Sequence, residues 1–189
     1  KAHTGFVSSV SFSSEGRYAL SASYDNTIRL WDNGYRRAIR RWKDRDWILA
    51  AAISPDSQYV ISGSRKQMRL WDFNSQRIVR TFSGQAFFLS VLFLPDGERV
   101  RSGISDSEVR LWHVNRGQLL RTFRGHTDSV RSVAVSSDAR QIVSGSWDNT
   151  VRLWDLNSGR VLHIFNEPGD EIYSVSFSRD GQRILAGGN

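Results

Sequence analysis

The sequence predicts an all-β fold made of repeated four-stranded antiparallel sheets. Three observations lead there. Trp31, Trp71, Trp112 and Trp154 recur 40, 41 and 42 residues apart within IRLWD, MRLWD, VRLWH and VRLWD, a spacing that marks an internal repeat. Apolar residues in the flanking segments alternate with small or polar ones at period two, which sets one side of each strand against a core. Turn signals interrupt every copy at the same place.

The elements follow in order within each unit. A first strand is read in FVSSVSFS, WILAAAIS, FFLSVLFL, SVRSVAVS and EIYSVSFS. Turns follow in SSEG, SPDS, LPDG, SSDA and SRDG, and a second β-rich run such as YALSAS or QIVSGS comes next. The arginine-leucine-tryptophan segment is the third strand. A looser fourth run ends in an aromatic residue at Trp42, Phe82, Phe123 and Phe165. Four antiparallel strands per unit without a helix describe a propeller blade. The expected blades span approximately 1–42, 43–82, 83–123 and 124–165, with a partial fifth at 166–189, about 4.5 blades in all.

With Gly125-His126 and Trp154-Asp155 bracketing one repeat, and the Trp-Asp pair recurring at Trp31-Asp32 and Trp71-Asp72, the chain resembles the WD-repeat β-propellers over its whole length. The resemblance implies that histidine, serine, aspartate and tryptophan form a buried hydrogen-bonded tetrad. By position these are His3, Ser21, Asp25 and Trp31 in the first repeat, and His126, Ser144, Asp148 and Trp154 in the fourth. A serine-histidine-aspartate set also suggests a hydrolase. A nucleophilic serine, however, needs exposure and an oxyanion hole, and would occur once rather than as a repeating unit. The other two repeats depart from the pattern. The second, with a shorter turn and Asp44 near the histidine position, keeps Ser62 and Trp71. The third has Gln85 in place of histidine and keeps Ser102, Asp106 and Trp112. These two blades are expected to be the least rigid. Arg101 stands where the other repeats carry Leu20, Ile61, Val143 and Leu185, so it must reach the rim or find an acidic neighbour.

Composition bounds the function. The 189-residue chain is 39% hydrophobic and 24% charged, which excludes disorder. The absence of cysteine excludes disulfides, thiolate catalysis and cysteine-bound zinc. No apolar run approaches the roughly 18 residues of a membrane span, and no signal-peptide core opens the chain. The expected compartment is therefore the cytoplasm, with the nucleus open, and no membrane partner is expected. Without a metal cluster, phosphate loop or paired catalytic carboxylates, the chain is expected to be no enzyme and to use no cofactor.

The formal charge of +7 raises acidic partners or nucleic acid. Arg29, Arg69, Arg110 and Arg152 each stand two residues before the key tryptophan, a repetition that argues for a structural role. The run YRRAIRRWKDRD is more irregular and places Arg36, Arg37, Arg40, Arg41, Lys43 and Arg45 on the outermost strand of the first blade. It reads as a solvated, charged sheet edge, or as a patch for an acidic protein or nucleic acid.

The resemblance also implies a contact face, at the loops leading into each first strand and at the residue before the turn aspartate. Those positions hold Phe6, Trp47, Phe87, Ser129 and Glu171 in the loops, and Tyr24, Arg65, Ser105 and Trp147 at the turns. Large aromatics and an arginine there have the composition of binding hot spots, unless Phe6, Trp47 and Phe87 tuck between blades. Family propellers have mostly about seven blades, close to 300 residues. The expectation is thus a part of a larger ring, or one completed by a second copy in a homodimer. The function expected is a non-catalytic scaffold for protein partners, an interaction module of a larger signalling or assembly protein; the alternative is a propeller that binds nucleic acid or an acidic partner through residues 36–45.

Overall fold

The computed structural model describes residues 3–35, 37–167 and 169–189. The first blade holds β1 (Val7–Phe12), β2 (Tyr18–Ser23), β3 (Thr27–Asp32) and β4 (Arg37–Lys43). The second holds β5 (Ala50–Ile53), β6 (Tyr59–Gly63), β7 (Gln67–Asp72) and β8 (Ile78–Ser83). The third holds β9 (Phe88–Phe93), β10 (Arg99–Ile104), β11 (Val109–His113) and β12 (Gln118–Phe123). The fourth holds β13 (Val130–Val135), β14 (Gln141–Ser146), β15 (Thr150–Asp155) and β16 (Val161–Asn166), and the half blade holds β17 (Ile172–Phe177) and β18 (Ile184–Gly188). Each sheet pairs its strands in chain order, all antiparallel. The described residues thus form four four-stranded blades and one two-stranded half blade.

The turns follow from local chemistry. Asn26 and Asn149 take left-handed conformations, φ 66° and 63°, in the β2–β3 and β14–β15 turns. Asparagine tolerates this region because its short side chain can bond locally.

The cores lie between blades. Leu20, Ile28 and Leu30 of the first blade pack with Ile48, Ala51, Val60 and Trp71 of the second. The same pattern joins blade two to three through Ile61, Phe88 and Val91, three to four through Leu111, Val133 and Trp154, and four to the half blade through Val143, Ile172 and Val175. The blades approach closely because the second strands carry glycine there. A Cβ on Gly63 would lie 2.6 Å from the Phe88 carbonyl oxygen, and one on Gly103 2.9 Å from that of Val130.

A polar clamp reinforces these seams. Arg40 Nη1 donates to the Phe73 and Asn74 carbonyls at 2.6 and 2.9 Å, Arg80 Nη2 to the Asn115 carbonyl at 2.8 Å, and Arg121 Nη1 to the Ser158 carbonyl at 2.9 Å. Each bond runs from a fourth strand to the outer turn of the next blade. In the fourth blade the corresponding register position holds His163.

At the two ends the apolar faces are open. Val10 and Phe12 of β1 are 63% and 66% exposed, and Leu185 of β18 is 72% exposed. A cavity of about 850 Å³ lies where the half blade meets the fourth, lined by Leu153, Phe165, Ile172, Phe177 and Ile184 among others.

Candidate interaction face

The tetrads build the rigid corners from which the face rises. In the fourth blade the Trp154 indole N–H donates to Ser144 Oγ at 2.8 Å, and the Ser144 hydroxyl donates to His126 Nε2 at 2.7 Å. His126 Nδ1–H then donates to Asp148 Oδ2 at 2.8 Å. The Asp148 carboxylate is an acceptor only, so it holds the imidazole proton on Nδ1, and Nε2 of the neutral ring then accepts from the Ser144 hydroxyl, whose oxygen accepts from the indole. The first blade repeats it through Trp31, Ser21, His3 and Asp25 at 2.8, 2.7 and 3.0 Å. Both imidazoles are shielded, with side chains 3% and 1% exposed for His3 and His126. Ser21 and Ser144 are buried within their blades.

Sequence reasoning missed a fifth member. Thr27 and Thr150 donate their hydroxyls to Asp25 and Asp148 Oδ1 at 2.6 Å, and the signal was present in the shared DNT of both turns. Burial alone would raise the Asp148 carboxyl. The Thr150 hydroxyl, the Thr127 amide and His126 outweigh it and hold the group below its ordinary range. The same balance, through Thr27, Thr4 and His3, acts on Asp25. Burial pushes His126 below its ordinary value against the pull of Asp148, with Arg152 adding to the shift.

The second and third blades solve the same corner differently. Trp71 still donates to Ser62 Oγ at 2.9 Å. Asp44, buried, pairs with Arg69, which also donates to Gln67 Oε1. In the third blade Trp112 donates to Ser102 Oγ at 3.1 Å, but Asp106 is no tetrad member. It pairs instead with Arg110 at 2.5 Å, beside Glu108, because no imidazole is present to hold it inward. Gln85 stays exposed, and the buried Phe88 ring takes up space beside Trp112, centres 6.5 Å apart. Arg101 reaches neither the rim nor an acid: it is 1% exposed, and its guanidinium nitrogens find no hydrogen-bond partner among the described residues. Register sets it beside Leu92 and Leu111, on the side facing the fourth blade.

The loop and turn candidates meet on one face because backbone bonds join them. Tyr24 N–H donates to the Phe6 carbonyl, Ser105 N–H to that of Phe87, and Trp147 N–H to that of Ser129. Phe6 and Tyr24 lie 5.5 Å apart, and Tyr24 stacks on Trp47 at 5.0 Å. Arg65 then bridges Trp47 and Phe87, its guanidinium carbon 5.7 and 5.3 Å from the two ring centres. Five side chains from three blades form one ladder. Phe6, Trp47 and Phe87 are 70%, 48% and 38% exposed, so they do not tuck between blades.

A second, shorter ladder crosses the fourth and half blades. Arg131 covers Trp147 at 4.9 Å and Tyr173 at 5.9 Å, and the two rings meet edge on at 6.2 Å. Glu171, read from sequence as the loop position, instead accepts the Tyr173 hydroxyl at 2.8 Å. Ser105 and Ser129 separate the two ladders. Among the described residues neither Arg65 nor Arg131 forms an ion pair; Arg65 is exposed and Arg131 half-buried.

The basic run is elsewhere. Arg37, Arg41 and Lys43 are exposed on β4, and Arg45 just beyond it, while Arg40 is committed to the clamp described above. Arg36 lies outside the described residues.

Blades of this topology braced by tryptophan-serine-histidine-aspartate chains define a repeat β-propeller. The chain belongs to the WD40 family, whose model (WD domain, G-beta repeat) matches residues 1–32, 37–72, 76–113, 117–155 and 159–189. It is 50% identical over 40 residues to the cross-pathway control WD-repeat protein 2 of Flammulina velutipes, covering 21% of this chain and 13% of that protein. It is 36% identical over 64 residues to DDB1- and CUL4-associated factor 13 of Danio rerio, covering 33% of this chain and 14% of that protein. The matches thus span about one-seventh of each relative. No helix is long and apolar enough to cross a membrane among the described residues.

Proposed function

We propose that the chain is a non-catalytic scaffold that binds a protein partner through the two aromatic-arginine ladders. The observation that carries this reading is the run Phe6, Tyr24, Trp47, Arg65 and Phe87, held rigid by mutual stacking while remaining exposed. Preordered aromatics and arginine lose little side-chain entropy on binding and supply most of the energy of protein interfaces. A soluble protein rarely exposes such a contiguous patch without a partner.

WD40 repeats generally serve protein interaction, and one relative is named for association with DDB1 and CUL4. Both support a role as the interaction module of a larger assembly protein, working inside the cell. The open apolar faces at Val10, Phe12 and Leu185 support completion of the ring by further blades or a second copy. The run 36–45 is the weaker binding candidate, because Arg40 is tied to the second blade.

The test is selection of a random peptide library on this chain. The selected peptides should lose about tenfold or more in affinity on Trp47→Ala, and little on combined Arg37→Ala and Arg41→Ala. The reverse order would move the site to the basic edge.

A further inference from the structure

Beside Arg65 the second blade has a cavity of about 430 Å³, lined by Asp46, Ser64, Arg65, Lys66, Gln67 and Arg69. It sits at the corner that the first and fourth blades fill with an imidazole and a turn carboxylate. Here the β6–β7 turn is a residue shorter, and Arg65-Lys66 stands where Tyr24-Asp25-Asn26 stands in the first blade. Losing the histidine and the turn aspartate removes the filler and one negative charge, so that among the described residues Asp46 is the one lining carboxylate, against Arg65, Lys66 and the paired Arg69. The volume far exceeds the roughly 30 Å³ of one water, so a polar side chain with its hydration fits.

The charges in this corner divide into committed and free. Arg69 neutralises Asp44 beneath the cavity. Asp46 turns Oδ1 back to accept the Trp47 N–H at 2.8 Å. Arg65 and Lys66 are exposed and form no ion pair among the described residues, and the Arg65 guanidinium is held by the Trp47 and Phe87 rings. A guanidinium whose faces meet aromatic rings keeps its N–H edge for an oxyanion, and a lysine beside it adds a second charge.

We propose that this cavity is an anion subsite that takes a phosphorylated side chain of an extended peptide lying along the ladder. The inference rests on the ladder being the partner-binding face. Even with the Asp46 carboxylate in the lining, Arg65 and Lys66 leave the cavity net positive, and a phosphate of roughly −1.5 to −2 charge brings three acceptor oxygens to their N–H groups where a carboxylate brings two. A nucleic acid is less suited, because Trp47 already carries Tyr24 and Arg65 and offers no free ring face for a base.

The test pans the chain against two matched random peptide libraries, one with a fixed phosphoserine and one with glutamate at that position. Phosphoserine peptides should bind about tenfold more tightly than their glutamate counterparts. Arg65→Ala with Lys66→Ala should erase that difference at unchanged thermal stability and, because Arg65 is also a rung of the ladder, weaken both libraries, whereas Trp47→Ala should weaken both libraries and keep the difference. Equal binding of both libraries through Trp47 would overturn the subsite alone. A phosphate preference that survives the double substitution, or displacement of the phosphopeptide by oligouridine RNA with the same Lys66 dependence, would overturn it too. Failure of every peptide to bind would overturn the subsite together with the ladder reading.

Discussion

Trp47 lies flat on Tyr24, ring centres 5.0 Å apart and planes 5° from parallel, which fastens the lead-in loop of the second blade to the turn of the first. The pair is exposed, so its stacking contributes little to folding. Trp47→Ala should lower unfolding free energy by about 1 kcal/mol at most, measured by urea denaturation. A loss of several kcal/mol would make the pair a structural joint rather than a recognition surface.

The tetrads should show the opposite balance. Ser144→Ala removes the acceptor of the Trp154 indole and the donor to His126 together, and should cost about 1–3 kcal/mol. Ser102→Ala breaks only the indole bond of Trp112 and should cost less, about 1 kcal/mol. Equal losses in paired denaturation curves would show that the histidine adds nothing. Amide exchange should likewise run faster in β7 and β11 than in β3 and β15, where the full chains stand.

Arg101 should be a destabilising residue. Its guanidinium is buried without a partner, and burial pushes its pKa down to about 9, still protonated at neutral pH. Arg101→Leu restores the residue type of the first blade at this position and should raise stability by on the order of 1–3 kcal/mol. A lower melting temperature in Arg101→Leu would mean that the guanidinium has a binding or packing role.

Stability should fall in two stages with acid. His126 titrates below its ordinary 6.5 in the folded chain, so the unfolded chain takes up a proton first as pH drops through that value, and stability declines. Asp25 and Asp148 are held below 3.8, which adds a second decline below that pH. In His126→Gln the first stage, below pH 6.5, should flatten while the second persists, as read from unfolding free energy against pH. An unchanged slope would contradict the account of the His126 environment.

Strand order and turns were legible because they rest on local rules: period-two alternation, SPDS- and LPDG-type turns, and a tryptophan every 40 to 42 residues. The tetrads were legible because four residue types recur at fixed offsets. The clamp was not, although Arg40, Arg80 and Arg121 each stand two residues before Trp42, Phe82 and Phe123. Their partners are backbone carbonyls of the next blade, which no side-chain identity announces. The ladder was half legible. Positions named Phe6, Tyr24, Trp47, Arg65, Phe87 and Trp147, but the stacking order, and the part of Arg131 and Tyr173, depend on how neighbouring blades meet. Asp106 misled because an aspartate at the right offset still needs an imidazole to hold it.

The most direct measurement is side-chain footprinting by hydroxyl radicals on the chain with and without a selected peptide. The account predicts protection of Phe6, Tyr24, Trp47 and Phe87, or of Trp147 and Tyr173, with Ile39 and Tyr35 beside the basic edge unchanged. Protection confined to Tyr35 and Ile39, with the ladder rings still oxidised at the free rate, would contradict it.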